Sequence, residues 1–222
     1  MIRISARAAI SSLALVLVLF PSLKGAVVRY PVKPSFEGGD PHMSPEERAI
    51  VVKLLVDSRK EFLDSIRDLT DAEWNFRPGP FRWTIGEISE HIVLAEGRLF
   101  QAVTKAVQTP PDPDWEARTK GKTDLLTQVM PNRTGRAQAP WEIQPKGKLS
   151  KAEVIRRYNE VRDQTLQFAE HTPVALKEHT LEHPFPQFKT LNAYQWLIYI
   201  PLHNQRHDKQ IAEVKASSGY PK

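Results

Sequence analysis

The chain is predicted to be all-α, a four-helix bundle. Three observations predict it. Four stretches carry apolar residues every three or four positions, three of them open with a helix-start signature, and no run alternates with the two-residue period of a half-buried strand. At 222 residues the chain can build one domain with a substantial core and still carry extra segments.

The first helix opens at Ser44-Pro45-Glu46-Glu47, a capping box with proline at the first helical position. Its stripe is Val51, Leu54, Leu55, Ser58, Phe62, Ile66 and Leu69. The second opens at Thr84–Glu87, again a capping box, and its stripe is Ile88, Ile92, Ala95, Leu99 and Val103. His91 lies about 60° from the centre of that stripe at 100° per residue, so it borders the core. The third opens at Ser150–Glu153, a third capping box, carries Val154, Tyr158, Val161, Thr165 and Phe168 inward, and stops before Pro173. The fourth spans about Leu191 to Lys215. Its inward face holds Trp196, Ile200, His203, His207, Gln210 and Val214, and Pro201 is expected to kink it.

Helices two and three are joined by a long crossover, 109–149, with prolines at 110, 111, 113, 131, 140 and 145. A connection of that length without structure would be unusual. A short helical turn around Asp124–Val129 is expected to divide it, with Trp115 and Trp141 pinning the remainder.

Residues 1–25 differ from the rest. Arg3 and Arg7 precede the apolar run from Ala8 to Phe20, and Pro21 and small residues follow. This is the form of an export signal peptide, since a thirteen-residue run is short for a bilayer span. The alternative is an uncleaved N-terminal anchor. The expected layout is a signal peptide at 1–25, a Pro/Gly-rich linker at 26–43, the bundle at 44–216 and a tail at 217–222. Once the signal is removed, no stable membrane anchor is expected, and the protein is periplasmic or extracellular. The signal holds Arg3, Arg7 and Lys24 and no acid, so its loss lowers the formal charge from +5 to +2. No basic run interleaved with aromatics remains, which argues against nucleic acid as a partner. Cysteine is absent, so disulfides, a lipid-anchored N-terminal cysteine and a thiol nucleophile are all excluded.

Two histidine pairs have the spacing that puts both rings on one helix face: His179/His183 and His203/His207. Pro184 pushes residue 183 out of helical geometry, so the first pair is expected in a loop. The second lies on the inward face of the fourth helix, where imidazoles need partners for their nitrogens. His91 borders the inward face of another helix. Two explanations remain on pattern alone: three rings converging on a cation, or three rings hydrogen-bonded separately.

The stretches "WTIGEISEHIVLAEGRLF" (83–100), "RAQAPWEIQPKGKLSKAEVIRRYNEVRD" (136–163) and "YQWLIYIPLHNQRHDKQIAEV" (194–214) resemble the DinB-like superfamily of four-helix bundles. The resemblance spans about 45–215. It implies a divalent metal held by His91, His203 and His207, with pairing as a homodimer. It also implies a functional range that includes hydrolases, thiol-dependent transferases and stress proteins of unknown activity. Three protein ligands leave a coordination position open, the pattern of a catalytic metal, and imidazoles suit zinc or nickel. Gln210 is a candidate to orient a ligand ring. Glu96 is the nearest candidate base, although Arg206 is expected to hold it in an ion pair. Export removes the chain from cytoplasmic thiols, which favours a metal-dependent hydrolase, acting through metal-activated water on a small-molecule substrate. The alternatives are a non-catalytic metal- or ligand-binding stress protein and, if the chain is cytoplasmic, a thiol-dependent S-transferase.

Overall fold

The computed structural model describes residues 40–134 and 138–221. The expected signal peptide and most of the expected linker lie outside the described residues. Four long helices form the bundle: α1 (Pro45–Ile66), α3 (Ile85–Ala106), α6 (Lys151–His171) and α7 (Ala193–Lys215). Among the described residues three short ones accompany them: α2 (Asp71–Asn75), α4 (Trp115–Thr119) and α5 (Lys122–Val129). Both α1 and α3 pack against both α6 and α7, so the order around the bundle is α1, α6, α3, α7. None of the described helices is long and apolar enough to cross a membrane.

The helix starts follow their caps. Ser44 and Thr84 each accept from the backbone of a glutamate three residues on, and that glutamate reaches back to the cap. At Ser150 only half of the expected box forms. Ser150 accepts from Glu153 N, but the Glu153 carboxylate is drawn instead to Arg156 and Arg157. A full box stands at the head of α7, where Asn192 and Gln195 cap each other. Asn192 therefore starts that helix two residues after Leu191, and the helix continues through Pro201 to Lys215.

The buried face of α1 is the predicted one, with Leu69 buried just beyond the helix. On α6 the predicted stripe is displaced. Val154, Tyr158 and Thr165 are buried, but Arg162 and Ala169 replace Val161 and Phe168 at its centre. Arg162 is 0% exposed, which apolar periodicity cannot foresee because a charge is buried only with a partner. The partner is Glu96 of α3, which receives Nε at 2.5 Å and Nη2 at 2.9 Å. The other guanidinium nitrogen donates to the Leu55 carbonyl and to Ser58 Oγ of α1. Nη2 also reaches Asn204 of α7, so this one side chain ties four helices together.

Two further departures concern the connections. A small antiparallel hairpin, β1 (Thr180–Glu182) and β2 (Thr190–Asn192), precedes α7. Three-residue strands are too short to display alternation. The expected helical turn at 124–129 is α5, which packs on α7. Trp115 is half-buried at the start of α4, but Trp141 is 74% exposed in a 3-10 turn (Trp141–Ile143) and pins nothing. At the ends, Met43 is buried and Pro41 O accepts from Lys177 N, so the close of the expected linker is docked. Tyr220, in the expected tail, packs edge-on against Phe76.

Candidate metal centre

The capping of α3 and α7 fixes where three histidines meet. His91 lies in the second turn of α3, and His203 and His207 lie one turn apart on α7, the helix α3 packs against most extensively. The rings converge through their Nε2 atoms. His91 to His207 is 3.1 Å and His207 to His203 is 3.2 Å. One nitrogen from each of the three lies within 4.8 Å of the other two. His179 and His183 stay out of the cluster. His179 donates from Nδ1 to the Thr109 carbonyl, and His183 stacks on Trp196.

The protons on these rings can be placed from their other partners. His91 Nδ1 is 2.7 Å from the Ile143 carbonyl, which can only accept, so His91 carries its proton on Nδ1. His207 Nδ1 is 2.8 Å from Gln210 Oε1. That amide oxygen also accepts from Arg133 Nη1 at 3.1 Å, and a guanidinium only donates, so the orientation of Gln210 is fixed. His207 must therefore also donate from Nδ1. Two bare Nε2 lone pairs then face each other at 3.1 Å. Nor does protonation resolve the clash. Burial is the main force holding all three pKa values below the ordinary 6.5, and His203 and His207 are lowered further by the neighbouring rings.

A cation does resolve it. Tetrahedral zinc–nitrogen bonds of about 2.0–2.1 Å place neighbouring ligands about 3.3 Å apart, close to both Nε2 separations. The donor set thus fits a divalent metal, with His91 and His207 oriented from behind as metal-bound imidazoles usually are. Arg133 is in turn gripped by Glu213 at 3.0 and 2.9 Å, completing a chain Glu213–Arg133–Gln210–His207. Gln210, considered as a residue that orients a ligand ring, stands within hydrogen-bond reach of His207 Nδ1. Glu96, considered as a candidate base, has a different partner from the one expected: it pairs with Arg162 in the core, while Arg206 stands half-buried on the wall of a cavity.

That cavity, of about 1470 Å³, reaches the three histidines and is lined also by Trp83, Phe185 and Trp196. Sequence reasoning missed Arg133, Ile143 and His183. A carbonyl that orients a ring has no sequence signature, and Arg133 sits in a loop without periodicity. The Asn192–Gln195 box, by contrast, was there to be found.

A family model described as the DinB superfamily matches residues 54–211. The chain belongs to the DinB superfamily. Among curated proteins it is similar to YuaE, an uncharacterized protein of Bacillus subtilis (strain 168). The two are 26% identical over 163 residues, covering 72% of this chain and 93% of YuaE. Among solved structures it is similar to YfiT from Bacillus subtilis, described as a probable metal-dependent hydrolase with an unusual four-helix bundle topology. That match has 12% identity and a TM-score of 0.48, covering 83% of this chain and 94% of YfiT. The match of the DinB superfamily model to the four helices of the bundle bears out the DinB-like fold expected from the sequence.

The buried histidines predict how the metal-free domain responds to pH. The pKa values of His91, His203, His207 and His183 lie below 6.5 in the folded state, His183 at about 4. Below about pH 6.5 the unfolded chain therefore binds protons that the folded chain refuses. The stability they contribute is full above that pH and is lost as pH falls toward the folded values. Asp208 has the opposite sign. Burial raises its pKa from 3.8 to about 8, so its contribution is lost as pH rises between those values. With four groups against Asp208 and Glu61, whose pKa burial also raises, the unfolding midpoint of chelated protein should rise from about pH 4.5 to about pH 6.5 and then drift down toward pH 8. A midpoint that falls between 4.5 and 6.5 in calorimetry contradicts neutral histidines.

Proposed function

We propose that this DinB-superfamily member is an exported, divalent-metal-dependent enzyme of hydrolase type, with His91, His203 and His207 as ligands to zinc or nickel. The observation that carries the reading is the pair of bare Nε2 lone pairs at 3.1 Å, facing a cavity large enough for a small substrate. A structural site would be closed by a fourth protein ligand, whereas among the described residues the cluster contains three histidines and no fourth ligand. When bound, a divalent cation at an open position supplies Lewis acidity and acidifies water.

The chain's own residues prepare that position. The Ile143 carbonyl and Gln210 keep the protons of His91 and His207 on Nδ1, turning both lone pairs inward. The Glu213–Arg133 pair holds Gln210 in that orientation. Trp83 packs against His91 with ring centroids 5.0 Å apart and shields it on the cavity side. Because Glu96 is committed to Arg162, proton transfer falls to groups other than a carboxylate at the cluster.

Export rests on the Arg3/Arg7 pair, the thirteen-residue apolar run and the small residues that follow. It disfavours thiol transfer, which needs a reducing pool of small thiols.

One preparation tests the reading. Protein expressed with its native N-terminus in a bacterium should lose about 2.6 kDa and appear outside the cytoplasm. It should carry close to one zinc or nickel per chain by elemental analysis, and that metal should support turnover of a small ester, amide or lactone in a screen. An intact cytosolic chain would restore the thiol-transfer alternative. Metal without turnover on any hydrolysable substrate would favour the non-catalytic binding protein.

A further inference from the structure

The cavity has two unlike ends. At one stand the three histidines. The other is a wall of rings running along α7 away from them. Tyr199 stacks nearly parallel to His203, with centroids 6.1 Å apart and planes 16° apart. Trp196 follows at 6.0 Å from Tyr199, and His183 stacks on Trp196 at 4.8 Å and 22°. Phe185 closes the row, 5.3 Å from His183. The spacing 196, 199, 203 is that of one helix face, and α7 contributes the wall while the β1–β2 hairpin lays His183 and Phe185 against it. At 1.5 Å per residue, Tyr199 and Trp196 lie about 6 and 10 Å along the helix from His203.

Three features of this wall concern a ligand. The Trp196 indole is 4% exposed and lines the cavity, yet its buried Nε1–H has no hydrogen-bond partner. An unpaired buried donor is costly, and an acceptor on a bound molecule is what relieves it. His183 Nδ1 accepts from the Phe185 backbone N–H, so the ring proton is on Nε2 and offers a second donor. Five basic side chains line the cavity against three acidic ones, with Arg206 half-buried among them beside Tyr199. Rings present faces to flat molecules, and donors and guanidinium groups favour acceptors and negative charge.

We infer that the cavity binds a flat organic anion, its ring system packed against the His183–Trp196–Tyr199 wall about 6–10 Å from the histidine cluster. This deepens the enzyme reading by naming its substrate class, and rests on that reading only for which end of the molecule reacts. Binding to the wall itself needs no metal.

The test is calorimetric titration of the full-length chain, both metal-loaded and chelated, with 2-naphthoate. Two controls separate shape from charge: trans-decahydronaphthalene-2-carboxylate has the charge without the flatness, and 2-naphthylmethanol the flatness without the charge. Naphthoate should bind at least ten-fold tighter than either, and chelation should change its affinity less than three-fold. Trp196→Phe, which keeps a ring but loses the indole N–H, should weaken it by about ten-fold. Phe185→Ala, in the hairpin and outside the helices, should weaken it several-fold should the Trp196 variant misfold. Equal binding of naphthoate and the saturated acid overturns the inference, as does wild-type affinity in both variants. Binding that requires the metal and ignores Trp196 also overturns it, since the carboxylate would then be a simple metal ligand. If the wild-type chain retains no metal, the enzyme reading fails while the chelated titration still decides this one.

Discussion

His203→Ala, His207→Ala and His91→Ala proteins should each purify without divalent metal, whereas His179→Ala and His183→Ala proteins should keep it. Removing a residue that merely orients a ligand weakens metal binding by about 10–100-fold, and removing one of three ligands should exceed that. The contrast between the pairs is the informative part, because both have the same four-residue spacing. Only one pair shares a helix face with His91 across the bundle, and only there do nitrogens meet at 3.1 and 3.2 Å. His183 is also buried, but its ring stacks on Trp196 and its Nδ1 accepts from the Phe185 backbone N–H. Gln210→Leu should give an intermediate loss, since it frees the His207 proton to move to Nε2. Elemental analysis of the six proteins checks the series. Metal lost from the 179/183 variants but kept in the 203/207 variants would mean that the ion lies elsewhere.

The second large effect is on stability. Arg162→Met strands Glu96, 3% exposed, in the core with no counter-charge, and removes donors from the Leu55 carbonyl, Ser58 and Asn204. Breaking a buried pair from one side costs about 3–5 kcal/mol. At about 2–4 °C per kcal/mol for a domain of this size, the unfolding midpoint should fall by about 6–20 °C. Removing both charges, as Glu96→Leu with Arg162→Met, should recover at least half of the loss, because an apolar pair carries no unpaid desolvation. Circular dichroism melts of the single and double variants measure this. A single-variant shift under about 3 °C would show that the pair does not hold the bundle. The consequence reaches the metal centre, since Asn204 follows His203 directly and accepts from both Tyr158 and Arg162.

What could be read from the sequence follows from what local physics encodes. The stripe of α1 and the caps at Ser44 and Thr84 are fixed by near neighbours, and they were legible to the residue. The three histidines were legible because two share a helix face and the third borders another, with the family resemblance choosing between a shared cation and separate hydrogen bonds. Arg162 was not legible. Its burial depends on Glu96, 66 residues away, and a guanidinium on an apolar face looks like a misplaced surface residue. The same distance effect gave Glu96 the wrong partner in Arg206. The Ile143 carbonyl and the Arg133–Gln210 contact come from a long connection whose path no periodicity dictates. His179 and His183 stay out of the three-histidine cluster, as expected, but Thr180–Glu182 between them forms a strand and His183 lines the same cavity, which the loop expectation did not foresee.

The central claim is that the three histidines hold a metal at a position open to the cavity, and cobalt tests it most directly. The full-length chain loaded with cobalt(II) should show visible bands of a low-coordinate ion, which azide or imidazole should shift in a saturable way while the helical signal stays unchanged. His207→Ala protein should show no such bands. A cobalt spectrum indifferent to both small ligands, or a chain that unfolds when the metal is chelated, would instead describe a closed structural site.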